Sequence, residues 1–237
     1  MLIIYPLFES YCSIISSRTP LSTTWQHPET RKMDSSTTTE ARVPYVFPPP
    51  GTNEIADTIR SRRKDEELLD LDGALLNAEL VAKGWSSLVG TLRDQNSLSA
   101  DIRELFILRV AVLNKAAYEW KQHEPVGRKS GLTTSQLLEI RLNPPMKILS
   151  IQETSLTPLQ SAALVFTDYM TKEIKVPKEV YEQLKELISD SDDDEDRNRK
   201  MVEAVSTIGA YNMVSRFLVA LDVGGMEDVE VPIPKDE

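Results

Sequence analysis

Glu119 and His123 stand four residues apart in the stretch "NKAAYEWKQHEP", Asn114 to Pro125, of a chain that holds only two histidines. On a helix that spacing stacks both side chains on one face, within reach of each other. A carboxylate against an imidazole fixes its tautomer and raises its basicity, which is the combination that moves a proton near neutral pH. Glu104 lies one helix earlier, in the apolar segment "ELFILRVAVL". If the chain reverses near Asn114, then Glu104, Glu119 and His123 converge at a helix–helix seam as a catalytic acid–base group. Arg109 shares the apolar segment, where an unpaired charge would cost several kcal/mol; it braces an ion pair or holds a substrate anion. Tyr118 and Trp120 are core or pocket wall. Tyr211, Asn212 and Arg216, in "GAYNMVSRFL", are polar groups on an apolar helix, read first as seam-forming hydrogen bonders and second as substrate-binding residues. The competing reading is a satisfied interface histidine in a helical protein without catalysis. A metal site would need Glu104 as a third ligand beside Glu119 and His123, and none is expected.

These residues require helices to position them. Leu80, Val81, Trp85, Leu88, Val89 and Leu92 recur at three and four residues, which predicts an amphipathic helix. Ser99 is a good N-cap for "ADIRELFILRVAVL", apolar nearly all round and therefore central and buried. Asn114 ends or breaks that helix. A second helix carries "AAYEWKQHEPVGRK" to Gly131, a plausible residue for its C-terminal turn. Thr133 with Gln136, and Thr157 with Pro158 and Gln160, are capping patterns for the next two helices. A long final helix is stopped by Gly224 and Gly225. No segment alternates as a strand. The expectation is an all-α fold of about seven helices, with the acidic run "DSDDDED" at 190–196 a solvated loop. Its serines, Ser189 and Ser191, are candidate phosphosites.

Composition narrows the functions. The net charge is −10, but Asp190–Asp196 carries most of it and leaves no global field. The only cationic cluster is "RSRRK" at 60–64, too small for a nucleic-acid surface. Cys12 is the single cysteine, so an intrachain disulfide and a CxxC pair are both excluded. No apolar run approaches the ~20 residues of a membrane span, and the apolar first residues lack a basic region. A cytoplasmic protein is expected. Residues 1–52 read as a disordered or extended leader, with translation expected to begin at Met33; 53–98 as an N-terminal helical extension; 99–226 as the main helical domain; and 227–237 as a tail.

"ELFILRVAVLNKAAYEWKQHEPVGRKSGLT", with "VSTIGAYNMVSRFLVAL" downstream, resembles the carboxymuconolactone decarboxylase and alkylhydroperoxidase D (AhpD)-like family over about residues 99–224. The lead-in "VPYVFPPPG" and "LLDLDGALLNA" is similar to that of fungal members. The resemblance implies an all-helical AhpD-like domain, no cofactor, a small-molecule substrate, and assembly as a dimer, trimer or hexamer with sites near subunit seams. In the peroxidase branch a glutamate is followed by two cysteines and a histidine, at spacings that fall here on Glu104, Ala116, Glu119 and His123. Both cysteines are gone, and thiol peroxidase chemistry needs them. The decarboxylase side fits better. There His123 would protonate a dienolate, Glu119 would orient it, and Arg109 or Arg216 would hold a carboxylate or enolate. The implied activity is a cofactor-independent lyase, decarboxylase or isomerase acting on a small organic acid or carbonyl compound. A hydroperoxide assay with thiol reductant is therefore expected to be blank. Turnover that survives Cys12→Ser would contradict this.

Overall fold

A computed structural model describes residues 41–63, 67–147 and 153–236, and every regular element among them is helical. The helices are α1 (Glu54–Arg60), α2 (Asp70–Leu75), α3 (Glu79–Asp94), α4 (Ala100–Leu113), α5 (Ala117–Lys129), α6 (Thr134–Leu142), α7 (Pro158–Lys172), α8 (Lys178–Leu187) and α9 (Asp194–Ala220), with a short 3-10 turn, Leu76–Ala78, before α3. The described residues thus hold more helices than the seven expected, because the segment before α4 divides into three. Cys12 and Met33 lie outside the described residues.

Helix α4 is the axis of the fold. Ile102, Leu105, Phe106, Ile107, Leu108, Val110 and Ala111 are all buried, and the helix packs against α5, α6, α7 and α9. An α-helix apolar on every face has no side to give to water, so neighbours must surround it. Two capping patterns operate as expected, Thr133 accepting from the Gln136 amide and Thr157 from the Gln160 amide behind Pro158, whereas Ser99 precedes α4 without a side-chain capping bond.

The reversal after α4 differs in detail from the expectation. Asn114 ends the helix, but the left-handed residue is Lys115, with φ of 57°. The Ala116 amide bonds back to Ala111 and the Lys115 amide to Val112, at 2.8 and 3.1 Å. That pair is the Schellman pattern that satisfies the last carbonyls of a helix. The Asn114 side chain instead anchors the turn, donating to Asn212 Oδ1 and Ser215 Oγ of α9 at 3.0 and 2.7 Å.

Two other expectations change. The acidic run is not only a loop: Asp193 caps α9 and Asp194, Glu195 and Asp196 form its first turn, where carboxylates oppose the helix dipole favourably. On α3 the apolar spacing does not mark a buried face throughout. Val89 and Leu92 are buried, whereas Leu80 and Val81 are 84% and 55% exposed.

Arg109 is wholly consumed inside the core. Its guanidinium grips both carboxylate oxygens of Asp168 on α7, at 2.5 and 3.0 Å. It also donates to the carbonyls of Ile140 and Asn143 at the C-terminal end of α6, at 2.7 and 3.0 Å. Asp168 further accepts from the Met146 amide. The pair ties α4, α6 and α7 together and leaves no fork for a substrate. Breaking one partner strands the other charge in a dry site, so Asp168→Ala is expected to cost about 3–5 kcal/mol in urea denaturation. An unchanged midpoint would contradict this role.

Candidate active site

Three helices build the site: α4 supplies Glu104, α5 supplies Glu119 and His123, and α9 supplies Tyr211. Helices α4 and α5 pack closely at Gly127, one turn beyond His123. A Cβ there would meet Leu108 Cδ1 at 3.1 Å and Leu132 Cδ1 at 3.2 Å. Pro125 lies inside α5 and brings no amide hydrogen. The helix therefore lacks one backbone hydrogen bond in the turn that bears His123.

With the two helices this close, His123 Nδ1 lies 2.8 Å from Glu104 Oε2. Glu104 is fully buried, while the His123 side chain keeps 16% exposure. A buried carboxylate that accepts from Nδ1–H selects the tautomer whose Nε2 carries the lone pair. The Tyr211 ring meets the imidazole edge-on, with centroids 5.1 Å apart and planes at 90°. Burial, with Glu104 nearby, pushes the Tyr211 hydroxyl well above the usual phenol range, so this tyrosine stays neutral.

The expected partnership of Glu119 with His123 is not the one observed. Glu104 holds the imidazole, and neither oxygen of Glu119 has a hydrogen-bond partner among the described residues. Glu119 is only 2% exposed, and this burial pushes its carboxyl well above the usual carboxylate range. Placed where nothing stabilises a charge, the carboxyl is biased toward its protonated form. It is close enough to contribute to the field at Tyr211.

The other predicted residues fall elsewhere. Arg109 is committed to Asp168. Tyr118 packs over Gly224, where a Cβ would meet its ring at 2.8 Å, and bonds the Leu71 backbone. Trp120 is fully buried in the main core. Asn212 joins Asn114 and Thr171, and Arg216 donates to Asn212, which makes a polar clasp around the α4–α5 turn. Among the described residues no three His, Cys, Asp or Glu side chains group as a metal site.

The helix pair and its buried glutamate are the segment that comparison with known families recognises. Residues 79–143 match the carboxymuconolactone decarboxylase family. No curated protein matches the chain. The decarboxylase match takes in α3 to α6, with Glu104, Glu119 and His123, but Tyr211 on α9 lies beyond it. Two cations beside the site were not anticipated, Arg103 next to Glu104 and Arg93 at the end of α3. The signal for Arg103 was the charged pair "RE" on an otherwise apolar helix.

The upward shift of the Glu119 carboxyl has a measurable consequence. A carboxyl whose folded pKa is raised binds more protons folded than unfolded between the unfolded pKa of about 4.3 and its folded value. Its contribution is therefore fully present below that window and lost as pH rises through it, by about 1.4 kcal/mol per unit. Glu119→Gln is expected to flatten the fall in Tm between pH 5 and 8 relative to wild type. Parallel curves would show that Glu119 is ionised in the folded protein.

Proposed function

We propose that the chain is a cofactor-independent acid–base enzyme, a decarboxylase-type lyase or isomerase, acting on a small organic acid or carbonyl compound. The observation that carries this reading is the 2.8 Å bond from His123 Nδ1 to buried Glu104. It leaves Nε2 without a protein partner among the described residues, on a side chain that keeps 16% exposure.

In a decarboxylation the bond from carbon to the carboxylate breaks and carbon dioxide leaves. The electron pair moves through the conjugated system onto a carbonyl oxygen, giving an enolate or dienolate. Protonated His123 then delivers its Nε2 proton to carbon and returns to the neutral tautomer, and a solvent proton restores the acid. Glu104 holds the ring and stabilises the imidazolium. An isomerase uses the same two groups, with His123 first removing the proton that it later returns. Ala116 and Glu119 stand where the peroxidase branch keeps its thiols, which is why proton chemistry is favoured over thiol chemistry.

Substrate screening by carbon dioxide release, and by deuterium incorporation next to a carbonyl, tests the reading. Once a turned-over acid is found, His123→Ala and His123→Gln are expected to lower kcat by about 10²–10⁴-fold, with hydrodynamic size and helicity unchanged. Full activity in both variants would overturn the assignment. A collapse in size, with no activity found in wild type, would favour a purely structural histidine.

A further inference from the structure

Arg103 is the feature of this site that the fold leaves unexplained. Its side chain is 16% exposed, yet none of its N–H groups donates a hydrogen bond to a described residue, and Nε is buried without a partner. Its one ion-pair contact is with Glu104 Oε1 at 3.5 Å. That separation is too long for a hydrogen bond and leaves Oε1 itself without a partner. The other oxygen of Glu104 is engaged by His123. Arg103 also contributes to the field at Tyr211 and at Asp94. Arg93, the neighbouring cation, is already held by both oxygens of Asp94, each at 3.1 Å.

A buried Nε without an acceptor is costly, because its lost hydration is not replaced, and no described residue fills the rest of the fork. Compare Arg109 on the same helix, whose fork is filled by a carboxylate and two carbonyls. The same residue type, six positions earlier, has an empty fork beside the reactive imidazole. Arginine's planar array of donors matches a carboxylate or an enolate in two-point fashion.

We infer that Arg103 is the anion anchor of this site, holding a carboxylate or oxyanion of a small organic acid beside His123 Nε2. This rests on the acid–base reading for what happens to the ligand, but the binding itself can be measured without turnover.

The test uses 4-oxopentanoate, a keto acid whose carboxylate is not placed to leave, and its neutral analogue 4-oxopentanamide. Affinities are measured by calorimetry on the full chain, with sulfate as a competitor. Wild type is expected to prefer the carboxylate by at least about tenfold. Arg103→Met should lose about 10–100-fold for the carboxylate, as expected for charge-assisted hydrogen bonds, and nothing for the amide. Arg103→Lys should retain part of the preference, and His123→Ala should retain nearly all of it. Arg103→Met loses no protein hydrogen bond but removes the cation 3.5 Å from buried Glu104, so its Tm is measured alongside; if that variant is unstable, Arg103→Lys and Arg103→Gln carry the comparison. Equal affinity of wild type and Arg103→Met for the keto acid overturns the anchor. So does failure of wild type to bind the keto acid, equal affinity for the amide, or displacement by sulfate at the same concentration as by keto acid. The two readings fail separately: active His123 variants remove the acid–base chemistry, whereas Arg103-independent binding removes only the anchor.

Discussion

Helix α4 carries charge into a place where charge is expensive. Its apolar residues leave no solvent face, yet it brings Arg103, Glu104 and Arg109 with it. Glu104 and Arg109 are answered by other elements, and those answers hold the site together. Asp168 answers Arg109 from α7 and fixes the rear of the helix. His123 answers Glu104 from α5 and fixes the front. The approach at Gly127 lets the second answer reach. Remove the dryness around α4 and neither pair would select a geometry, because exposed pairs are worth little.

The same dryness separates the two glutamates by role. Glu104 has a cationic neighbour at 3.5 Å and an imidazole N–H at 2.8 Å, so it has partners for a negative charge. Glu119, equally buried, has none. One carboxylate orients and the other is biased toward its protonated form, a division set by surroundings and not by residue type. Tyr211 closes the imidazole from the side and stays neutral.

Much of the fold was legible because it is written in local chemistry. Capping at Thr133 and Thr157, the apolar wrap of α4 and the absence of alternating segments are all short-range signals, and each appears as read. The exposure of Leu80 and Val81 was not legible, since periodicity reports a stripe but not which neighbours exist to cover it. The acidic run misled in the same way: a negative stretch reads as solvated loop until it is seen to cap α9. At the site, sequence spacing named Glu104, Glu119 and His123 but mispaired them. Four residues along one helix suggested Glu119 for the imidazole, whereas the tertiary approach of α4 supplied Glu104. Arg103 was passed over because its meaning lies in what it does not contact, and only coordinates can show that.

The central claim is that buried Glu104 sets the His123 tautomer and leaves Nε2 as the reacting atom. The ¹⁵N shifts of the two imidazole nitrogens, recorded on histidine-labelled protein above the ring's titration, read this directly. The signal of His123 is assigned with His123→Gln. The account predicts Nδ1 protonated and Nε2 unprotonated in wild type, with that preference lost in Glu104→Ala. A neutral His123 protonated at Nε2 in wild type would contradict it.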